Sequence, residues 1–210
     1  MEWFQTWSAD FCDTFTRCFI KDDRYMLLLD GIGVTIRVSL VAVLIGIAIG
    51  LLIALCNLSS NKLLKVIGGI YTDVIRGTPS VTQLMIIYFV IFASVNLSKW
   101  IIAAIAFGIN SGAYVSEIIR AGILSVDKGQ TEAGRSLGLS ASQTMTRIVI
   151  PQAVKNIFPA LCNEFIVLIK ETAIVGYVGL MDIQKAGDFI KSATFEAFMP
   201  LIGTAIIYYV

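Results

Sequence analysis

The strongest constraint on this chain is an apolar run at residues 38–55, VSLVAVLIGIAIGLLIAL, which contains no charged residue. A helix of about 20 apolar residues crosses the hydrocarbon core of a bilayer, where each backbone polar group must be satisfied within the protein. The whole chain has a similar character, since 57% of its residues are hydrophobic, 15% are charged and its mean hydropathy is +0.81. These values exclude an ordinary soluble domain and predict an all-α integral membrane helical bundle.

Further apolar stretches predict the other membrane spans. The first span extends back to residue 31, and the other candidates are residues 63–95 with an interruption at 76–80, 101–123, 148–169 with breaks at Pro151 and Pro159, 172–181, and 195–210. We therefore expect about five transmembrane helices. The last stretch is short for a span, so we expect a basic cytoplasmic end to follow it.

Positive charges predict the orientation in the membrane. One connection carries Lys62 and Lys65, and a longer polar connection near residues 126–147 is flanked by Lys128, Arg135, Arg147 and Lys155. Because cytoplasmic loops are enriched in Lys and Arg, we place both connections in the cytoplasm. An odd number of spans then puts the N-terminus outside the cell membrane and the C-terminus in the cytoplasm.

The N-terminal residues 1–27 form a separate interfacial segment in this interpretation, and residues 28–210 form the transmembrane domain. Aromatic residues recur there at helical spacing among acidic residues: Trp3, Trp7, Phe11, Phe15 and Phe19. This pattern favours a helix lying at the membrane surface with its rings at headgroup depth. A disordered tail is the alternative.

Charge, histidine and cysteine usage exclude several classes of function. Lys plus Arg total 16 and Asp plus Glu total 15, a balance that gives no indication of nucleic-acid binding. The sequence has no histidine, so the commonest general base and metal ligand is missing. Four cysteines lie far apart without CxxC spacing, and we interpret them as small buried residues with no metal site: Cys12, Cys18, Cys56 and Cys162.

The polar connection near residues 126–147 has the features of a surface for a protein partner. We expect a short helix to start at Thr131 and to end at Gly138 in a left-handed conformation, with Ser140 capping the next helix. The small residues Ala133 and Gly134 would let the backbone of a partner come close.

A motif in this connection resembles that of ATP-binding-cassette importer permeases, usually written E-A-A, three residues, G, nine residues, I, one residue, L-P. The matching residues are Glu132, Ala133, Gly134, Gly138, Ile148, Ile150 and Pro151, with Gly134 and Ile150 as the departures. The resemblance implies a coupling helix that docks in a groove of an ATPase subunit. It assigns coupling to Glu132, Ala133, Gly134, Ser136, Leu137 and Gly138.

Three further stretches resemble the polar amino-acid uptake permeases: YTDVIRGTPSVTQL from Tyr71, SGAYVSEIIRAGI from Ser111 and NEFIVLIKETA from Asn163. The resemblance implies a type I importer for amino acids such as His, Glu, Gln or Arg. Its partners would be two ATPase subunits, an identical or homologous second permease, an extracytoplasmic solute-binding protein and membrane lipid. The sequence contains no G-x-x-x-x-G-K-[ST] pattern, so we expect no enzyme activity and no cofactor here, with ATP and Mg bound by the ATPase.

Polar residues within the spans are the candidates for substrate contact. Glu164 lies in an apolar stretch, where a charge is costly unless it pairs or faces water, and we predict that it binds the substrate ammonium group. A structural ion pair with Lys170 or Arg76 is the alternative. The interruption at Arg76, Gly77, Thr78 and Pro79 would offer backbone donors to a carboxylate, unless it is a plain proline kink. Gln83 and Lys170 complete the candidate set.

Glu117 and Arg120 are three residues apart on one helix face, so we predict a gate contact or structural ion pair there. The positions next to Glu164 (Ala160, Leu161, Val167 and Leu168) offer no second acid, which favours a neutral polar amino acid, unless Glu117 or Glu171 reaches the substrate. Two rival functions use the same features. A membrane protease would use Ser111 with Lys99 or Lys170 as its base. A self-contained secondary transporter or channel would leave the coupling motif unexplained.

Overall fold

The computed structural model describes residues 10–210, which contain helices and turns without a β-strand. The N-terminal part is helical over residues 10–15, π-helical at Thr16–Ile20 and 3-10 helical at Lys21–Asp23. The remaining helices are α1 (Tyr25–Leu58), α2 (Lys62–Arg76), α3 (Ser80–Ile86, continued by a π-helical turn at Ile87–Ile91), α4 (Lys99–Leu124), α5 (Lys128–Ser136), α6 (Ala141–Thr144, continued by a π-helical turn at Met145–Val149), α7 (Ile150–Glu171), α8 (Ile183–Thr194) and α9 (Phe198–Tyr209). The expectation of an all-α fold is confirmed.

Each predicted apolar segment contains a helix, although the helices differ in how well they suit a membrane. Among the described residues, α1 with 34 residues and α4 with 26 residues are long and apolar enough to cross by themselves. Helices α2 and α3 together form a bent pair with an angle of 104° at the predicted interruption. Helix α7 has 22 residues and α9 has 12. The bundle therefore combines straight spans with one broken span.

The predicted proline breaks near α7 are wrong. Pro151 comes two residues after the π-helical turn at Met145–Val149 and Pro159 lies inside α7, yet neither proline ends the helix. The chain is in fact helical without a gap from Ala141 to Glu171. The apolar stretch after it does not continue as an α-helix but forms a 3-10 segment at Thr172–Val178.

Helices α1 and α4 form the centre of the fold and approach closely through glycines spaced four residues apart. A Cβ at Gly46 would lie 3.0 Å from Ser111 Cβ, and a Cβ at Gly108 would lie 2.6 Å from Ile45 Cβ. Val38, Ala42 and Phe107 fill the interface around these contacts and are buried. Lipid tails are as apolar as leucine, so close backbone approach rather than hydrophobic burial holds such helices together.

Replacing Gly50 of α1 with alanine is expected to destabilise the protein, whereas Gly33→Ala on the same helix is not. A Cβ at residue 50 would lie 2.5 Å from Val115 Cγ1, but one at residue 33 would meet nothing within 4 Å. Overpacking costs about 1–3 kcal/mol, while alanine favours a helix over glycine by about 1 kcal/mol. Unfolding of each variant in detergent measures the difference, and equal stabilities would contradict this packing role.

The N-terminal segment packs against α8 and α9. Phe11 and Phe15 are each 43% exposed, as predicted for surface rings, but Phe19 is 8% exposed and contacts the cluster around Ile190. Arg17 Nη2 lies 2.8 Å from Glu196 Oε1. Trp3 and Trp7 lie outside the described residues. Phe19 thus differs from the two exposed rings, because it fills a gap beside Gly203.

The cysteines are all free, and their burial differs from the expectation. Cys18 is buried, Cys56 is half-buried, and Cys12 and Cys162 are exposed. The interpretation of the cysteines as small buried residues therefore holds only for Cys18. Residues 10–210 contain no group of three or more His, Cys, Asp or Glu side chains placed to hold a metal ion.

Asp182 joins α8 to α1 and α9. Its carboxylate accepts hydrogen bonds from the backbone of Lys185 at 3.1 Å and from the Tyr208 hydroxyl at 3.2 Å. Burial raises the pKa of Asp182, and the backbone hydrogen bonds from Lys185 and Gln184 oppose this rise. Gly31 of α1 permits the contact, since a Cβ there would lie 2.7 Å from the Asp182 carbonyl carbon.

Candidate functional site

The break between α2 and α3 is held by the side chain of Gln83. Its Nε2 donates to the carbonyl oxygen of Ile75 at 2.7 Å, to that of Thr78 at 3.1 Å and to Thr78 Oγ1 at 2.6 Å. Its Oε1 accepts from Asn110 Nδ2 of α4 at 2.9 Å. The interruption is therefore an ordered bend braced onto α4 and not a proline kink alone.

The four residues of the interruption lie around this brace. Arg76 ends α2, Gly77 follows with φ −85°, and Pro79 precedes α3 in an extended conformation. Thr78 Oγ1 also donates to the carbonyl oxygen of Val74 at 2.9 Å. No side chain caps the start of α3, so its first N–H groups are left to other acceptors.

Glu164 of α7 points at α4. Its Oε1 accepts a hydrogen bond from Ser111 Oγ at 2.9 Å, and Ser111 is completely buried. Within residues 10–210, Glu164 forms no ion pair with Lys170 or Arg76. Lys170 is exposed near the end of α7, on a different helix face from Glu164. Glu164 therefore has one protein partner and retains acceptor capacity.

The protease alternative finds no support in this geometry. The Ser111 hydroxyl donates to the Glu164 carboxylate, and within residues 10–210 neither Lys99 nor Lys170 contacts it. Lys99 lies twelve residues earlier on the same helix, about 18 Å along its axis.

Arg76 joins a polar cluster with α4. Arg120 binds Glu117 with both ends of its guanidinium, at 3.0 Å from Nε to Oε1 and 2.8 Å from Nη2 to Oε2. Arg76 Nη1 lies 4.0 Å from the same Oε2, and its guanidinium lies 5.6 Å from the centre of the Tyr114 ring. Glu117 thus connects the end of α2 to α4, which suits a contact that changes when these helices move apart.

The predicted coupling segment is a short exposed helix, α5, which starts at Lys128 because Asp127 Oδ1 accepts from Gly129 N at 2.6 Å. The expected start at Thr131 is therefore wrong by three residues, and the helix ends at Ser136, two residues before Gly138, whose φ of +85° is the expected left-handed conformation. Ser140 and Gln143 then form a capping box at the start of α6. Local sequence signals determine both ends of the segment.

The coupling residues divide into exposed and buried ones. Glu132, Ala133, Ser136 and Leu137 are exposed, and Leu137 reaches 82%. Gly134 is buried, and a Cβ there would lie 2.8 Å from Ile148 Cδ1 and 2.9 Å from Thr144 Cγ2. The small size of Gly134 therefore serves packing within the chain. The expectation that it lets the backbone of a partner come close is wrong.

Asn110 and Tyr114 are contact residues that sequence reasoning did not assign to a site, and Ser111 was considered only as a protease nucleophile. All three lie on α4. The sequence shows only that they are polar residues in an otherwise apolar span. This pattern does not indicate which helix each side chain faces.

Comparisons with known proteins agree over nearly the whole chain. The family described as "Binding-protein-dependent transport system inner membrane component" matches residues 46–210. GlnP of Rickettsia bellii (strain RML369-C), named for a glutamine transport system permease, is 43% identical over 189 residues, 89% of this chain and 87% of that protein. The arginine transport system permease protein ArtQ of Bacillus subtilis (strain 168) is 42% identical over 185 residues, 87% of this chain and 84% of that protein.

A solved structure gives the same picture. The crystal structure of an amino acid ABC transporter with histidines is 45% identical, has a TM-score of 0.83, and covers 91% of this chain and 90% of that chain. The helical arrangement and the sequence therefore point to the same group of proteins.

Proposed function

Because the chain belongs to the family of binding-protein-dependent transport system inner membrane components, we propose that it carries polar amino acids across the cell membrane as the permease subunit of an importer driven by a separate ATPase. The resemblance to amino-acid permeases that its motifs indicated is confirmed. The chain is thus a multi-pass transport subunit, and a self-contained transporter or channel is not favoured.

The exposed coupling segment carries this proposal. Glu132 on α5 and Leu137 directly after it are exposed on the protein surface, while the buried Gly134 lies against Ile148. The chain is helical without a gap from Ala141 to Glu171. Helix α5 packs against the start of this helical stretch, which also carries Glu164. Glu164 lies 16 residues beyond Ile148, about 24 Å along a helix. A push on α5 by an ATPase would therefore reach the membrane interior through one continuous helical element.

The substrate is a polar amino acid bound near Glu164 and the α2–α3 break. The Glu164 carboxylate binds the ammonium group of the substrate, and the uncapped start of α3 binds the carboxylate of the substrate. Arg76, Gly77, Thr78 and Pro79 shape the break, Gln83 holds it in place, and Lys170 stands at the rim. The relatives named for glutamine and arginine are almost equally similar, at 43% and 42% identity. A second carboxylate, that of Glu171, lies seven residues beyond Glu164 on the same face of α7 and close enough to interact with it, so a cationic side chain is accommodated as well as a neutral one.

The partners follow from this function. Two ATPase subunits bind ATP and Mg and dock on the α5 segments of two permease chains, and an extracytoplasmic binding protein delivers the substrate. The chain itself has no ATPase activity and needs no cofactor. Its N-terminus is outside and its C-terminus is cytoplasmic, because the lysines and arginines around α5 and before α2 favour the cytoplasmic side. ATP-driven closure moves the α5 segments together and exposes the substrate site alternately to each side.

Purification of the tagged chain from its native membrane in mild detergent tests this function. We expect mass spectrometry to find a P-loop ATPase with it, and we expect vesicles that contain the complex and its binding protein to take up labelled glutamine or arginine with ATP. A folded chain that carries substrate with no ATPase present would contradict the proposal and favour a secondary transporter.

A further inference from the structure

A polar groove lies between α2, the end of α1 and the second half of α4, away from the Glu164–Ser111 pair. Its volume is about 400 Å³, and six of its eight lining residues have a charged or amide side chain: Asn57, Lys65, Asp73, Arg76, Glu117 and Arg120. This volume falls within the range of about 300–1,000 Å³ that is common for small-molecule sites. The groove is therefore large enough for a small polar ligand.

Helix α2 is built to present a polar face to this groove. Lys65, Gly69, Asp73 and Arg76 recur at helical spacing and line it, while the opposite side carries the exposed residues Leu63, Ile67, Ile70 and Val74. A Cβ at Gly69 would meet nothing within 4 Å, so the groove reaches the helix surface there. Charged groups in a membrane helix are tolerated where they face water or a ligand.

The charges in the groove are not balanced by one another. Arg120 occupies both oxygens of Glu117, and Arg76 approaches Glu117 only to 4.0 Å. The side chains of Lys65 and Asp73 have no hydrogen-bond or ion-pair partner in the described part of the chain. The groups left for a ligand are therefore the cation Lys65 and the carboxylate Asp73, together with Arg76, whose contacts are the 4.0 Å approach to Glu117 and the Tyr114 ring.

We propose that this groove is a second amino-acid site, on the cytoplasmic side of the permease, through which the substrate passes on release. A zwitterionic amino acid fits the free groups, since its carboxylate can bind Arg76 or Lys65 while its ammonium group binds Asp73. An anionic lipid headgroup fits less well, because Asp73 would repel its phosphate. The inference rests on the proposed function and on the orientation that places the start of α2 in the cytoplasm.

Inhibition from the cytoplasmic side tests the groove. The complete complex is reconstituted in vesicles with ATP inside and binding protein outside, and uptake of labelled L-glutamine, and separately L-arginine, is measured against unlabelled amino acid inside. We expect internal amino acid to slow uptake by the parent. Asp73→Asn should raise the inhibitory internal concentration about tenfold, the loss expected for one hydrogen bond to a charged group, with half-saturation outside unchanged. Lys65→Gln should shift it in the same direction.

The control is Asp30→Asn, which removes an exposed carboxylate of α1 outside the groove and should leave inhibition at the parent value. The groove site would be overturned if neither Asp73→Asn nor Lys65→Gln alters the inhibition. It would also be overturned if internal amino acid does not inhibit the parent. An effect of Lys65→Gln that requires anionic lipid, with none from Asp73→Asn, would assign the groove to a headgroup instead. A parent complex that takes up neither probe would contradict the proposed function and the groove with it.

Discussion

Replacing Glu132 with arginine is expected to reduce uptake by tenfold or more while the helices in the membrane stay folded. Glu132 is exposed on α5 and has no ion-pair partner within residues 10–210, so reversing its charge removes no contact inside the chain. A charge reversed in a protein interface places like charges together or leaves a buried partner unpaired, which costs about 2–5 kcal/mol. A loss of that size exceeds tenfold in binding of the ATPase.

The measurement pairs uptake with co-purification of the ATPase. Glu132→Arg should lose both, whereas Asp13→Arg, an equal charge change on an exposed residue of the N-terminal helix, should keep both. Circular dichroism and the elution volume in detergent establish that each variant is folded. Normal uptake by Glu132→Arg would remove the docking role of α5.

Glu164→Gln is expected to slow transport by about ten- to a hundredfold, since a hydrogen bond to a charged group contributes about 1.5–3 kcal/mol. The glutamine oxygen can still accept from Ser111 Oγ, so this variant keeps the bond between α4 and α7 and removes only the charge. Ser111→Ala does the opposite, because it removes the bond and keeps the carboxylate. We expect the charge to matter more.

Initial uptake rates at saturating binding protein separate the two roles. A large effect of Glu164→Gln with a small effect of Ser111→Ala supports contact between the carboxylate and the substrate ammonium group. Equal effects would indicate that Glu164 only joins the helices. An unchanged rate in Glu164→Gln would eliminate it from the substrate path.

Local sequence signals predicted much of this protein. The charge-free run at residues 38–55 indicated the first span, and the RGTPS interruption indicated the break that appears as a 104° bend. Gly138 and Ser140 determined the ends of the helices around the coupling segment. These features depend on backbone conformation and on hydropathy over a few neighbouring residues, which can be read without knowing the fold.

Other features depended on which helices meet. Gly134 has the same small size whether it faces a partner or Ile148, and only the packing of α5 on α6 and on the π-helical turn that follows it decided between them. From the sequence, Gln83 could either bind a substrate or brace the chain. Its bracing role became visible only through the hydrogen bond from Asn110, which is 27 residues away in the sequence. Pro159 stayed within a helix that its sequence was expected to break. The sequence by itself thus determined the membrane class, the broken span and the coupling segment. Only the tertiary structure decided the partners of its polar side chains, because those contacts join residues that no local pattern relates.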